Sequence, residues 1–172
     1  MQQNNFILIF ISAFITGISQ HLDSLGFIAW LSLTPLFIVL LKISDFRYIL
    51  LYSFYWGFIY NLVSVYWIAQ NIGTNIYIAT VSMILTVLIL SFNTVFIAII
   101  WYRVKYVIRK SLYLIPFIWV SVEYIRSYGV LGFPWINLAN TQTKYFYLIQ
   151  NSEYVGIYGI SFWVVLLNVI IF

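Results

Sequence analysis

The 172-residue chain contains no cysteine. Disulfide scaffolds, thiolate metal sites and a cysteine nucleophile within these residues are thereby excluded. Charge is almost as scarce. Only 7% of residues are charged, eight basic against four acidic, and His21 is the single histidine. A histidine-rich metal centre or proton relay is therefore not expected, and neither a metal nor another cofactor is called for.

Apolar residues fill the chain instead: 64% are hydrophobic, and the mean hydropathy is +1.00. A soluble domain has about 45–50% apolar and about 25% charged residues. That much apolar surface cannot be hidden in a core of this size, which excludes a soluble globular fold. The fold class expected is all-α, a polytopic transmembrane helical bundle. The net charge of +4 does not imply nucleic acid, because basic residues of membrane proteins mark cytoplasmic loops. The aromatic share of 22% fits Trp and Tyr rings anchored at headgroup depth.

A helical span needs about 20 mostly apolar residues, and the charges divide the chain into pieces of that size. About six spans are predicted, near 6–20, 24–41, 48–69, 76–102, 112–125 and 160–172. Pro35 lies within the second, so neighbouring helices must satisfy the carbonyl it frees. The first segment lacks a basic n-region and a small-residue cleavage site, so it reads as a span rather than a signal peptide. Lys42 and Arg47 fall in one loop, and Arg103, Lys105, Arg109 and Lys110 in another. Placing both loops in the cytoplasm puts the N-terminus inside and the stretch 126–158 outside, where Arg126 and Lys144 are the only basic residues. The chain ends in an apolar run from Val164 to Phe172. A terminus there would leave a carboxylate in hydrocarbon, so residues 1–172 are expected to be the N-terminal transmembrane domain of a longer protein, with the sixth span truncated.

The outward stretch is where unusual residues gather. Glu123 and Arg126 are three apart, so they share one face at the outer end of the fifth span. They read either as an interfacial ion pair ending the helix or as a guanidinium held for a lipid phosphate. Gly129 and Gly132 permit close backbone approach, and Pro134 stiffens the projection formed by Phe133 and Trp135. Non-helical backbone at this depth must be covered by protein or line a wet cavity. Gln142 follows, and then a Tyr- and Phe-rich run from Lys144 to Ile149 that suits a short interfacial helix. Gly156 and Gly159 allow a tight re-entry into the last span. His21 reads as an interfacial polar residue and Asn61 and Asn93 as interhelical hydrogen-bonders. Ala13 and Gly17 match a small-residue helix contact.

Trp119-Val120-Ser121-Val122-Glu123-Tyr124-Ile125-Arg126, then Gly132-Phe133-Pro134-Trp135, Gln142, and Gly156-Ile157-Tyr158-Gly159-Ile160-Ser161-Phe162 together resemble apolipoprotein N-acyltransferases. The match extends more loosely to Leu33-Thr34-Pro35-Leu36, to Gly57-Phe58 and to Tyr66-Trp67-Ile68. The resemblance implies a bacterial inner-membrane enzyme that moves an acyl chain from a membrane phospholipid to the N-terminal diacylglyceryl-cysteine of an apolipoprotein acceptor. It also implies a nitrilase-like outer domain with a Glu–Lys–Cys constellation, in which the cysteine forms a thioester. With no cysteine, these residues carry no catalytic group of that kind and are expected to be inactive alone. They would anchor and gate the site. By the same resemblance Glu123, Arg126, Gly132, Phe133, Pro134, Trp135 and Gln142 are the substrate-binding candidates, near the membrane-facing mouth, with Glu123 orienting Arg126. The missing nitrilase-like domain would belong to the same full-length chain. The alternative is a non-enzymatic membrane docking module for a separately encoded catalytic domain.

Overall fold

The structure, a computed structural model, describes residues 2–108, 111–129 and 132–172. Arg109 and Lys110, assigned above to a basic loop, lie outside the described residues. Among those described, every regular element is helical. The chain runs through α1 (Gln2–Ile18), α2 (Ala29–Ser32), α3 (Thr34–Lys42), α4 (Phe46–Val65), α5 (Ile76–Lys105), α6 (Ile115–Arg126), α7 (Phe146–Ile149) and α8 (Ser152–Ile171). Short 3-10 turns fill most connections, notably Asp23–Ile28, Pro134–Ile136 and Leu138–Gln142. The all-α helical membrane bundle expected from composition is what the chain forms.

Four helical stretches are long and apolar enough to cross a membrane: Ser24–Lys42, Phe46–Gln70, Ile76–Lys105 and Ser152–Ile171. The other two predicted spans fall on shorter helices, α1 with 17 residues and α6 with 12. At 1.5 Å per residue the 30-residue α5 is ~45 Å long, well over the ~30 Å hydrocarbon thickness. Its ends therefore reach headgroup depth. The starts of α4 and α5 are set by side-chain caps: Asp45 accepts from the backbone N–H of Arg47 at 2.8 Å, and Asn75 from that of Tyr77 at 2.9 Å.

Small residues set how closely the helices approach. A Cβ on Gly57 of α4 would lie 2.9 Å from the Ser91 carbonyl of α5, and one on Gly17 of α1 would lie 2.7 Å from Val63 Cβ. Ala13 is buried on the same face of α1, so the predicted small-residue contact is the seam between α1 and α4. Hydroxyls add to it. Ser12 Oγ donates to the Ser32 carbonyl at 2.5 Å and accepts from Trp56 Nε1 at 2.9 Å.

Pro35 breaks the second span between α2 and α3, and α8 repairs the break. Asn168, fully buried, donates from Nδ2 to the Ala29 carbonyl at 2.8 Å. Its Oδ1 accepts from the backbone N–H groups of Leu33 at 2.9 Å and Thr34 at 3.2 Å. One amide thus replaces the helical bond between Leu33 and Ala29. Within α8, Gly156 adopts φ +67°, which bends the chain just before the apolar run begins.

Replacing Asn168 by Leu strands these backbone groups in an apolar interior. N168L is expected to lower stability by about 1–3 kcal/mol, read as an earlier unfolding transition in detergent, whereas T86A on the exposed face of α5 is expected to change it little.

Candidate functional site

The site grows from the last two turns of α6. Pro116 sits in its first turn, where a missing N–H costs nothing. Trp119, Val122, Glu123 and Arg126 then follow at helical spacing, so one face turns toward α4 and α5. Trp119 packs edge-on against Trp56 of α4, ring centroids 5.8 Å apart, and Trp56 stacks on Tyr60 at 4.9 Å.

Glu123 is 2% exposed, and a carboxyl group buried to that degree must be hydrogen-bonded. Its Oε1 accepts from the backbone N–H of Leu138 at 2.9 Å and from Trp119 Nε1 at 3.2 Å. Arg126 Nη2 donates to Asn137 Oδ1 at 2.5 Å. The predicted common face is therefore real, and each of the two residues is bonded to the segment 137–138. Asn61 Oδ1, Glu123 Oε2 and Arg126 Nε are buried and have no hydrogen-bond partner among the described residues. All three residues line a cavity of about 20 Å³ between α4, α5 and α6, with Asn93 on its wall. That volume holds about one water molecule. Asn61 and Asn93 thus face this cavity, and Asn61 Nδ2 donates within its own helix to the Gly57 carbonyl at 2.6 Å. The bond across the helices expected of Asn61 is replaced by this one because the amide is one turn from its own helix's carbonyl.

The loop leaves α6 by a tight path. Gly129 adopts φ +84°. Gly132 donates to the Gly129 carbonyl at 3.0 Å, and Phe133 N–H returns to the Arg126 carbonyl at 2.9 Å. A Cβ on Gly132 would lie 2.7 Å from the Ser127 carbonyl, so the close approach requires glycine. Pro134 opens a single 3-10 turn, Pro134–Ile136. Trp135 stands 62% exposed, braced edge-on by the half-buried Phe133 at 5.0 Å between centroids. Asn140 Nδ2 holds the Trp135 carbonyl at 2.6 Å.

Beyond Trp135 the chain turns inward. Ile136, Asn137, Leu138, Ala139, Thr141 and Gln142 are buried, as irregular backbone at membrane depth requires. The Ile136 carbonyl accepts from Tyr60 Oη at 2.8 Å, and Ala139 N–H donates to Ser161 Oγ of α8 at 3.0 Å. Gln142 is fully buried, and its amide is engaged by the first hairpin of the bundle. Nε2 donates to the Gly26 carbonyl at 2.8 Å, and Oε1 accepts from Trp30 Nε1 at 2.8 Å. Of the sequence candidates, Glu123, Arg126, Gly132, Phe133, Pro134 and Trp135 form one continuous unit, while Gln142 anchors its far end.

Several partners escape sequence inspection. Asn137, Tyr60 and Gly26 carry no motif pointing to the loop, and Ser161, although it lies in the Gly156–Phe162 motif, has no local signal that ties it to Ala139. For Gly26 the approach is so close that any Cβ would overlap the Thr141 carbonyl. His21, read from the sequence as an interfacial polar residue, lies just past the end of α1 with Nε2 2.8 Å from the Val63 carbonyl. The run after Lys144 forms only the four-residue α7, with Tyr147 86% exposed. Among the described residues no cluster of His, Asp and Glu is arranged to hold a metal.

These features define a class: a helical membrane protein in which the connection after α6 is folded back and pinned over a buried carboxyl and a guanidinium. The chain matches the family described as the apolipoprotein N-acyltransferase N-terminal domain over residues 12–170, and it belongs to that family. It is 28% identical to the apolipoprotein N-acyltransferase of Geobacter metallireducens, over 99% of this chain and 33% of that protein. It is likewise 28% identical to the one of Chlorobaculum tepidum, over 96% of this chain and 31% of the relative, and to apolipoprotein N-acyltransferase 1 of Treponema denticola, over 92% and 28%. The chain thus spans about a third of the length of these relatives. No solved structure matches it.

Glu123 can be probed by separating its acceptor function from its charge. E123Q keeps an oxygen for Leu138 N–H and is expected to stay within about 1 kcal/mol of the parent in detergent unfolding, whereas E123L leaves that donor buried and unpaired and is expected to lose about 1–3 kcal/mol.

Proposed function

We propose that this chain is the membrane platform of a lipoprotein N-acyltransferase, which transfers an acyl chain from a phospholipid to the N-terminal diacylglyceryl-cysteine of an apolipoprotein. The observation that supports this most is the guanidinium of Arg126. It is half-buried at the end of α6 and fixed by Asn137, and the Arg126 carbonyl is tied to the Gly132–Trp135 turn through Phe133 N–H. Of the guanidinium fork, Nη1 is neither bonded to Asn137 nor buried, so it keeps N–H donors for a phosphate oxygen. Trp135, exposed beside it, offers an amphipathic ring at headgroup depth. Together they suit a phospholipid headgroup presented from the bilayer, with Glu123 and Gln142 keeping the loop in place.

The reaction itself falls to other residues. The family's thioester step needs a cysteine, and the sequence has none, so the platform is inactive alone and works with a nitrilase-like domain in the same full-length protein. We place the protein in the bacterial inner membrane with six crossings, the N-terminus and the Lys42–Arg47 and Arg103–Lys110 loops cytoplasmic, and residues 126–158 outside. The bias of six of eight basic residues toward one side supports that orientation.

In the full-length protein, R126A is expected to reduce lipoprotein acylation per inserted molecule about ten- to hundredfold, matching the ~1.5–3 kcal/mol of a hydrogen bond to a charged group, with membrane insertion retained. R126K should recover part of the loss, since it keeps charge without the fork. Acylation at the parental rate in R126A would overturn the role given to Arg126.

A further inference from the structure

At the end of the bundle away from the Arg126 loop, the last turn of α5 packs against the turn between α3 and α4. Lys105 is spent on this joint. Its Nζ donates to the Ile43 carbonyl at 3.1 Å and lies 5.1, 4.6 and 5.1 Å from the ring centroids of Trp101, Tyr102 and Tyr106. Tyr102 Oη adds a bond to the Ser44 carbonyl at 3.2 Å. The rings of Phe46 and Tyr106 flank Tyr102 at 4.9 and 5.1 Å, which makes a continuous aromatic wall held in place by the caged lysine. Phe46, Tyr102, Arg103 and Tyr106 line a groove of about 490 Å³ along it, within the range of small-molecule sites.

Arg103 is the groove's cation. It is exposed and makes no hydrogen bond or ion pair with a described residue. Lys42 and Arg47 flank the turn between α3 and α4 at the same end. The acid there, Asp45, is engaged as the cap of α4. An unengaged guanidinium beside an aromatic wall, at the depth where α5 emerges from the bilayer, has the chemistry of a lipid-headgroup site. The cation meets a phosphodiester, and the rings cover glycerol and the first methylenes. A free phosphate gains nothing from the rings, so the wall favours a lipid.

We propose that this groove binds the headgroup of an anionic phospholipid, with Arg103 on the phosphate and Phe46, Tyr102 and Tyr106 against the glycerol backbone. The site stands on the opposite face from the Arg126 loop and does not depend on the acyltransferase reading.

The test is lipid binding to the full chain in neutral detergent, measured by native mass spectrometry. The probes are phosphatidylglycerol, phosphatidylcholine of equal chain length, and inorganic phosphate as competitor. Phosphatidylglycerol is expected to bind tighter than phosphatidylcholine, and both R103A and R103Q should weaken it about fivefold, the effect of about one surface cation. Inorganic phosphate should not displace it. Equal binding of the two lipids, or unchanged binding in both variants, would overturn the proposal. Displacement by inorganic phosphate would overturn it in favour of a simple anion site. A phosphatidylglycerol with a photoreactive group near the glycerol, applied to the parent protein, needs no variant to fold. Adducts on Phe46, Tyr102 or Tyr106 support the site, and adducts confined elsewhere refute it.

Discussion

The hydrogen bond from the Leu138 backbone to the buried Glu123 carboxyl is the constraint on which the loop end of the molecule depends. A bundle in lipid cannot leave backbone donors of an irregular loop unpaired, yet this chain folds residues 136–142 inward rather than leaving them in water. Glu123 accepts the donor of Leu138, Ser161 that of Ala139, and Tyr60 caps the Ile136 carbonyl. Three different helices, α6, α8 and α4, thus each satisfy one backbone group of the same short segment. The loop is a packed part of the bundle, and its exposed feature, Trp135, is held by what lies beneath it.

The same logic recurs where Pro35 interrupts the second span. There the amide of Asn168 occupies the broken register, donating to Ala29 and accepting from Leu33 and Thr34. Both devices use a polar side chain from one helix to complete the backbone of another. Both tie α8 into the fold, since Ser161 and Asn168 lie on its buried face. The helix that follows the loop therefore fixes the loop and the proline break together, and moving α8 would expose polar backbone at two depths.

The all-α bundle could be read from the sequence because hydropathy over 20-residue windows reports directly on burial in lipid. Two spans were less legible. α6 has only 12 helical residues and ends on Glu123 and Arg126, and α1 has 17, so charge spacing marks their ends but not their lengths. In the site, Gly132 and Pro134 could be placed from local backbone rules, and the spacing of Glu123 and Arg126 gave their common face. Their partners could not, because they depend on long-range docking. Gln142 reaches Gly26, 116 residues away, and Asn168 reaches Leu33, 135 residues away. No local periodicity encodes contacts of that range. The basic, aromatic end of α5 was visible only as loop charge. That Lys105 is consumed by a cage while Arg103 is left unengaged is a property of the packed joint.

The central claim, that the end of α6 grips the loop through specific side chains, is tested most directly by a double-mutant cycle on Arg126 and Asn137, measured by equilibrium unfolding in detergent. With the guanidinium bonded to Asn137 Oδ1, R126A and N137A should be coupled by about 1.5–3 kcal/mol, so that the double variant loses less stability than the two single losses added together. Additive losses, with coupling below about 0.5 kcal/mol, would contradict it and leave the loop held by burial alone.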